Sequence, residues 1–99
     1  MSLLGIVVAT PPVRGDFERA ERLARAARAA GHEVKIFLMA EAAAWGADPR
    51  SSSLIDEGCE VIVCATNLGA RVAAPGVDVG SQDEHAALLR RADRVVALT

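Results

Sequence analysis

Residues 3–9 (Leu-Leu-Gly-Ile-Val-Val-Ala) form an almost unbroken apolar, β-branched run, the pattern of a strand buried on both faces of a parallel sheet. Thr10-Pro11-Pro12 ends it. From Asp16, read as an N-cap, Phe17, Ala20, Leu23, Ala24, Ala27 and Ala30 recur at helical spacing with Arg and Glu on the other face, until Gly31 supplies a left-handed terminator. The same reading predicts a second strand at 33–39 and a third at Glu60–Cys64. Between them it places a short helix at 40–45, a mobile break at 46–50, and a second helix capped within residues 51–53 and closed by 54–57. After Cys64, one or two helical turns at 66–72 run up to Pro75-Gly76. Ser81-Gln82-Asp83-Glu84 has the capping-box form, opening a helix whose apolar face carries Leu88 and Leu89, and Arg94–Leu98 is the last strand.

Strand and helix alternating in this way predict a three-layer α/β/α fold, with a mostly parallel sheet of four or five strands and right-handed crossovers. Ligand sites in such folds lie beyond the carboxyl ends of the strands, which selects residues 10–16 and 64–69. A chain of 99 residues supports one core, so residues 1–99 are expected to form a single domain, with oligomerisation as a further source of stability. Its 52% apolar and 24% charged residues exclude a disordered chain. The net charge of -2 offers no basic excess for a phosphate backbone, so direct nucleic-acid binding is not expected. The apolar stretch 3–9 is far short of the about 18 residues a membrane span needs, and it lacks the basic flank of a signal peptide. Two cysteines are too few for a secreted disulfide framework, which makes the reducing cytoplasm the expected compartment.

Cys64 closes the strand Val61-Ile62-Val63 and precedes the helix start Ala65-Thr66-Asn67, so backbone N–H groups are expected near its sulfur. Such a location favours the thiolate, and Arg71 is a candidate second cation. An isolated cysteine also serves as a small buried hydrophobe, and position alone leaves both roles open. Cys59 sits at the opposite end of the strand, about 16 Å of extended chain away and on the other face. No intrachain disulfide or shared metal is then possible, and Cys59 is read as structural. His32 is read as a turn residue, His85 as a solvated or partly packed imidazole, and Trp45 as a packing or subunit-contact anchor. Arg14 and Asp16 lie where a ligand contact is possible. No zinc-ligand spacing, Walker A loop or Gly-x-Gly-x-x-Gly fingerprint is present, so neither a metal nor an organic cofactor is expected. Thr10 and Cys64 stand at strand ends where a phosphoacceptor receiver domain needs acids.

The segments Gly31-His32-Glu33-Val34-Lys35-Ile36-Phe37-Leu38-Met39, Glu57-Gly58-Cys59-Glu60-Val61-Ile62-Val63-Cys64 and Ala92-Asp93-Arg94-Val95-Val96, together with Gly80-Ser81, resemble the DsrE/DsrF-like (TusD-like) sulfur-relay family in order and spacing. That resemblance implies a small DsrE-like subunit that assembles into homotrimers or homohexamers. It further implies sulfur carried as a cysteine persulfide at the position matched by Cys64, passed between protein donors and acceptors without a cofactor. Two departures stand out. Many relatives have Cys-Gly-x-Cys where this chain has Cys64-Ala65-Thr66-Asn67, and the connection between strands two and three is short.

The leading expectation is therefore a cytoplasmic sulfur carrier or sulfurtransferase-like subunit with Cys64 as nucleophile, the Thr66, Asn67 and Gly69 turn stabilising its anion, and Arg71 as an electrostatic aid. The alternatives are a homo-oligomeric module that uses the same cleft without covalent chemistry, and a purely structural subunit.

Overall fold

The computed structural model describes residues 2–99. Strands β1 (Leu3–Val8), β2 (Glu33–Leu38), β3 (Glu60–Cys64), β4 (Asp78–Gly80) and β5 (Arg94–Leu98) form one sheet in the order β4-β3-β2-β1-β5. Every pairing is parallel. Helices α1 (Asp16–Ala29), α2 (Pro49–Asp56), α3 (Ala65–Leu68) and α4 (Gln82–Arg91) connect them, with short 3-10 segments at Pro12–Arg14 and Ala40–Ala47. The expected α/β fold is observed, with five strands and helices on both faces.

Alternation along the strands sorts the core into two layers. Ile6, Val8, Ile36, Leu38, Val61 and Val63 pack with Phe17, Ala20 and Ala24 of α1 and Leu54 of α2. On the other face Val7, Phe37, Ile62 and Cys64 pack with Leu88 of α4. The helix reaches the sheet because position 5 has no side chain: a Cβ on Gly5 would lie 3.1 Å from Leu88. Phe37 is fully buried there, and taking such a ring out of water contributes about 2–3 kcal/mol.

Helix α1 ends as its Gly31 suggests. At φ 88° that glycine lets its own N–H donate to the Arg28 carbonyl and the His32 N–H to the Ala27 carbonyl, a Schellman closure. Its start differs from expectation: Gly15 occupies the N-cap position, and Asp16 is the first helical residue. The Asp16 carboxylate instead accepts the Thr10 hydroxyl at 2.6 Å and pairs with Arg19 at 2.7 Å, so it fastens the turn that leads into α1. Arg14 is exposed.

Three further differences lie after β2. The segment 40–45 is the beginning of the 3-10 turn Ala40–Ala47, entered through a positive φ of 51° at Ala40. The break at 46–50 is a packed corner, where Gly46 is buried and a Cβ would come within 2.7 Å of Val63. Helix α2 begins two residues before its serines, because the Asp48 carboxylate caps Arg50 N at 2.9 Å and Pro49 suits the first turn. Ser51 is instead buried, donating to the Trp45 carbonyl at 2.6 Å.

The remaining differences are in the last third. Strand β4 has only three residues, and its Val79 is 53% exposed, so no apolar run announced it. Leu88 is buried whereas Leu89 is half exposed, which narrows the apolar face of α4 to one leucine.

Candidate functional site

Cys64 is the last residue of β3 and lies beside Gly80 of β4 in the sheet register. Beyond these neighbouring ends the chain takes opposite directions. Helix α3 sends Leu68 into the core layer of α1, while α4 sends Leu88 into the other layer. Two adjacent parallel strands whose connections leave towards opposite faces define a topological switch point, where α/β folds form their ligand crevices.

Cys64 Sγ sits at this switch point under close cover, with the residue 5% exposed. The Gln82 side chain, one residue into α4, donates from Nε2 to Sγ at 3.8 Å. Gln82 Oε1 in turn lies 2.9 Å from His85 Nδ1. The His85 ring stacks on Phe37, with centroids 5.1 Å apart and planes 13° from parallel. The first turn of α4 that carries both residues is itself fixed by the Ser81 and Glu84 capping box.

The residues expected to surround the sulfur have other partners. Asn67 Oδ1 accepts from Ala40 N at 2.9 Å, tying the exit of β3 to the strained entry of the 3-10 turn after β2. Arg71 donates to the Asn67 and Leu68 carbonyls at 3.3 Å, so its guanidinium braces the end of α3. Thr66 is exposed, and Gly69, at φ 64°, ends the single turn. A helix of four residues aligns few peptide dipoles. Gln82 and His85 were not singled out by the sequence as partners of Cys64. Their i,i+3 spacing behind the capping box was a visible signal, but the β3–β4 pairing that places Gln82 on the sulfur was not.

Cys59 lies in the opposite core layer, and both cysteines are free. Burial pushes the Cys59 thiol upward, as suits a structural cysteine. His32 bonds Ser2 Oγ at 2.6 Å. Trp45 stacks on Phe17 at 4.4 Å and is a packing anchor within the chain. Two concavities, of about 380 and about 550 Å³, open at the amino ends of the strands, lined respectively by Arg28, Lys35, Glu60 and Arg91 and by Ser2, His32, Asp93 and Arg94. Neither includes Cys64. Among the described residues no group of three or more His, Cys, Asp or Glu is placed to hold a metal ion.

The five-strand order and the lone helix over the Cys64 face can be compared with solved structures. The crystal structure of the YchN protein from E. coli superposes with a TM-score of 0.86, covering 99% of this chain and 100% of that one at 21% identity. The chain has the fold of YchN. A conserved protein of unknown function from Bacteroides thetaiotaomicron, BT1422, superposes with a TM-score of 0.75 at 15% identity, covering 98% of this chain and 95% of that one. No protein-family model matches the chain, and no curated protein matches it in sequence. The likeness to YchN spans the whole chain, and at this identity it speaks to fold alone. No helix among the described residues is long and apolar enough to cross a membrane.

Proposed function

We propose that the chain is a sulfur carrier that accepts and passes on sulfur as a persulfide of Cys64, working in the reducing cytoplasm as a homotrimer or homohexamer between protein donors and acceptors. The observation that carries this reading is the position of Cys64 at the β3–β4 switch point with a side-chain amide donor on its sulfur. An amide N–H directed at sulfur stabilises the anion, and the thiolate is the nucleophile.

In the accepting step, the Cys64 thiolate attacks the outer sulfur of a donor persulfide R–S–SH. The new Cys64 S–S bond forms as the donor S–S bond breaks, and the donor leaves as the thiolate R–S⁻ with the electron pair. The outer sulfur keeps its hydrogen. In the passing step an acceptor thiolate attacks that same outer sulfur, and Cys64 leaves as thiolate. With Asn67 in place of a second cysteine, no neighbouring thiol can intercept the persulfide as a local disulfide. The test is transfer: wild-type chain loaded with a small-molecule persulfide, desalted and mixed with a thiol acceptor should lose one sulfur mass as the acceptor gains one. An acceptor that gains the same mass from the Cys64→Ser chain contradicts the proposal.

The 5% exposure of Cys64 favours a second reading, in which the β3–β4 switch point binds a small anion or a partner peptide without covalent chemistry. That reading expects a thiol that alkylates no faster than an ordinary buried cysteine and accepts no sulfur.

A further inference from the structure

We propose that Gln82, held in orientation by His85, is the positioning residue of the Cys64 thiolate. The inference rests on the reading of Cys64 as the sulfur-bearing thiol. The two ends of a glutamine amide have nearly the same shape and opposite hydrogen-bonding character. With Nε2 toward sulfur the amide donates and favours the anion; reversed, its oxygen faces the sulfur and disfavours it. Gln82 is an exposed residue with a flexible side chain, and ordering such a chain costs rotamer entropy. Something must hold it in the donating orientation.

His85 supplies that restraint. Its ring is fixed by the 5.1 Å stack on Phe37, a residue with no exposed surface, and its Nδ1 reaches Gln82 Oε1 at 2.9 Å. A proton on Nδ1 makes Oε1 the acceptor, which leaves Nε2 to donate to Cys64 Sγ at 3.8 Å. The chain Phe37, His85, Gln82, Cys64 thus converts a buried aromatic contact on β2 into the direction of one N–H bond at the end of β3. The arrangement requires the imidazole to be cationic or the neutral Nδ1–H tautomer. Charged groups on this side of the sheet include Lys35 and its partner Glu60 at 3.4 Å, Asp78 beside Ile62 in the register, and Glu84 of the cap, and all remain unchanged in the variants below.

The experiment is the pH profile of Cys64 alkylation by iodoacetamide in a Cys59→Ala background. Gln82→Leu should move the profile to higher pH and slow alkylation at pH 7 about three- to tenfold. Gln82→Glu, which turns an anion toward the sulfur, should slow it further. His85→Phe keeps a ring to stack on Phe37 and should slow it about two- to threefold; added to Gln82→Leu it should have no further effect, since both act through one amide. A Gln82→Leu profile that overlays the wild type overturns the inference. Nitrogen chemical shifts of His85 give a readout that needs no variant: a neutral Nε2–H tautomer overturns it as well. Sulfur loading is scored separately, so a chain that shows the shifted profile but accepts no sulfur refutes the carrier reading alone.

Discussion

Ser81 and Glu84 close a reciprocal cap in which the Ser81 N–H and hydroxyl both donate to Glu84 Oε2 at 2.7 Å while the Asp83 N–H donates to Ser81 Oγ at 3.1 Å. The Ser81 hydroxyl and N–H hold the Glu84 carboxyl below the usual Glu range, as the Thr10 hydroxyl holds Asp16 below the usual Asp range. Both groups bind protons more weakly in the folded chain than in the unfolded one. Their stabilisation is therefore complete above the ordinary carboxyl values of about 4 and is lost as pH falls through the depressed ones. Urea midpoints measured from pH 7 down to pH 3 should fall, and Glu84→Gln should make the fall shallower; an unchanged slope contradicts this assignment. The cap was legible as a local pattern. So was the opposition of Cys59 and Cys64, because an odd offset along a strand fixes opposite faces. The Gln82 contact was not, since it depends on which strand lies beside β3.

Among the connecting elements, those closed by local chemistry were legible and those closed by tertiary packing were not. Gly31 ends α1 by its own backbone freedom, and any chain with that residue there has the same option. The helical expectation for 40–45 gave way to a 3-10 turn because Gly46 must touch Val63 and its carbonyl must accept Ala74 N at 2.8 Å. Helix α2 is tied to α1 through Arg50, which lies over the rings of Phe17 at 5.5 Å and Trp45 at 5.1 Å. The same guanidinium pairs with Glu18 at 3.0 Å and with the buried Glu21. Arg50→Met keeps much of the apolar stem but leaves Glu21 with only the longer Arg25 contact of 3.8 Å. It should cost about 1–2 kcal/mol, read as a lower urea midpoint. A midpoint equal to the wild type means that the pairing contributes nothing beyond packing.

Taken whole, the molecule covers its two sheet faces unequally. Three helices and the 3-10 turn lie along the α1 face, while α4 alone lies on the other, where it leaves Leu89 50% and Val95 38% exposed. The parallel α/β sheet, expected with four or five strands, followed from alternation of strand and helix, but the short edge strand β4 did not, and with it the switch point stayed hidden. For the proposed homotrimer or homohexamer, light scattering at micromolar concentration should give three or six times the chain mass of 10.3 kDa. A monomeric mass contradicts that assembly. The carrier proposal itself stands or falls on intact mass spectrometry of wild type, Cys59→Ala and Cys64→Ser after exposure to a small-molecule persulfide. A reducible gain of one sulfur atom in wild type and Cys59→Ala, absent from Cys64→Ser, is the expected result. Equal gain in Cys64→Ser, or none in any chain, contradicts it.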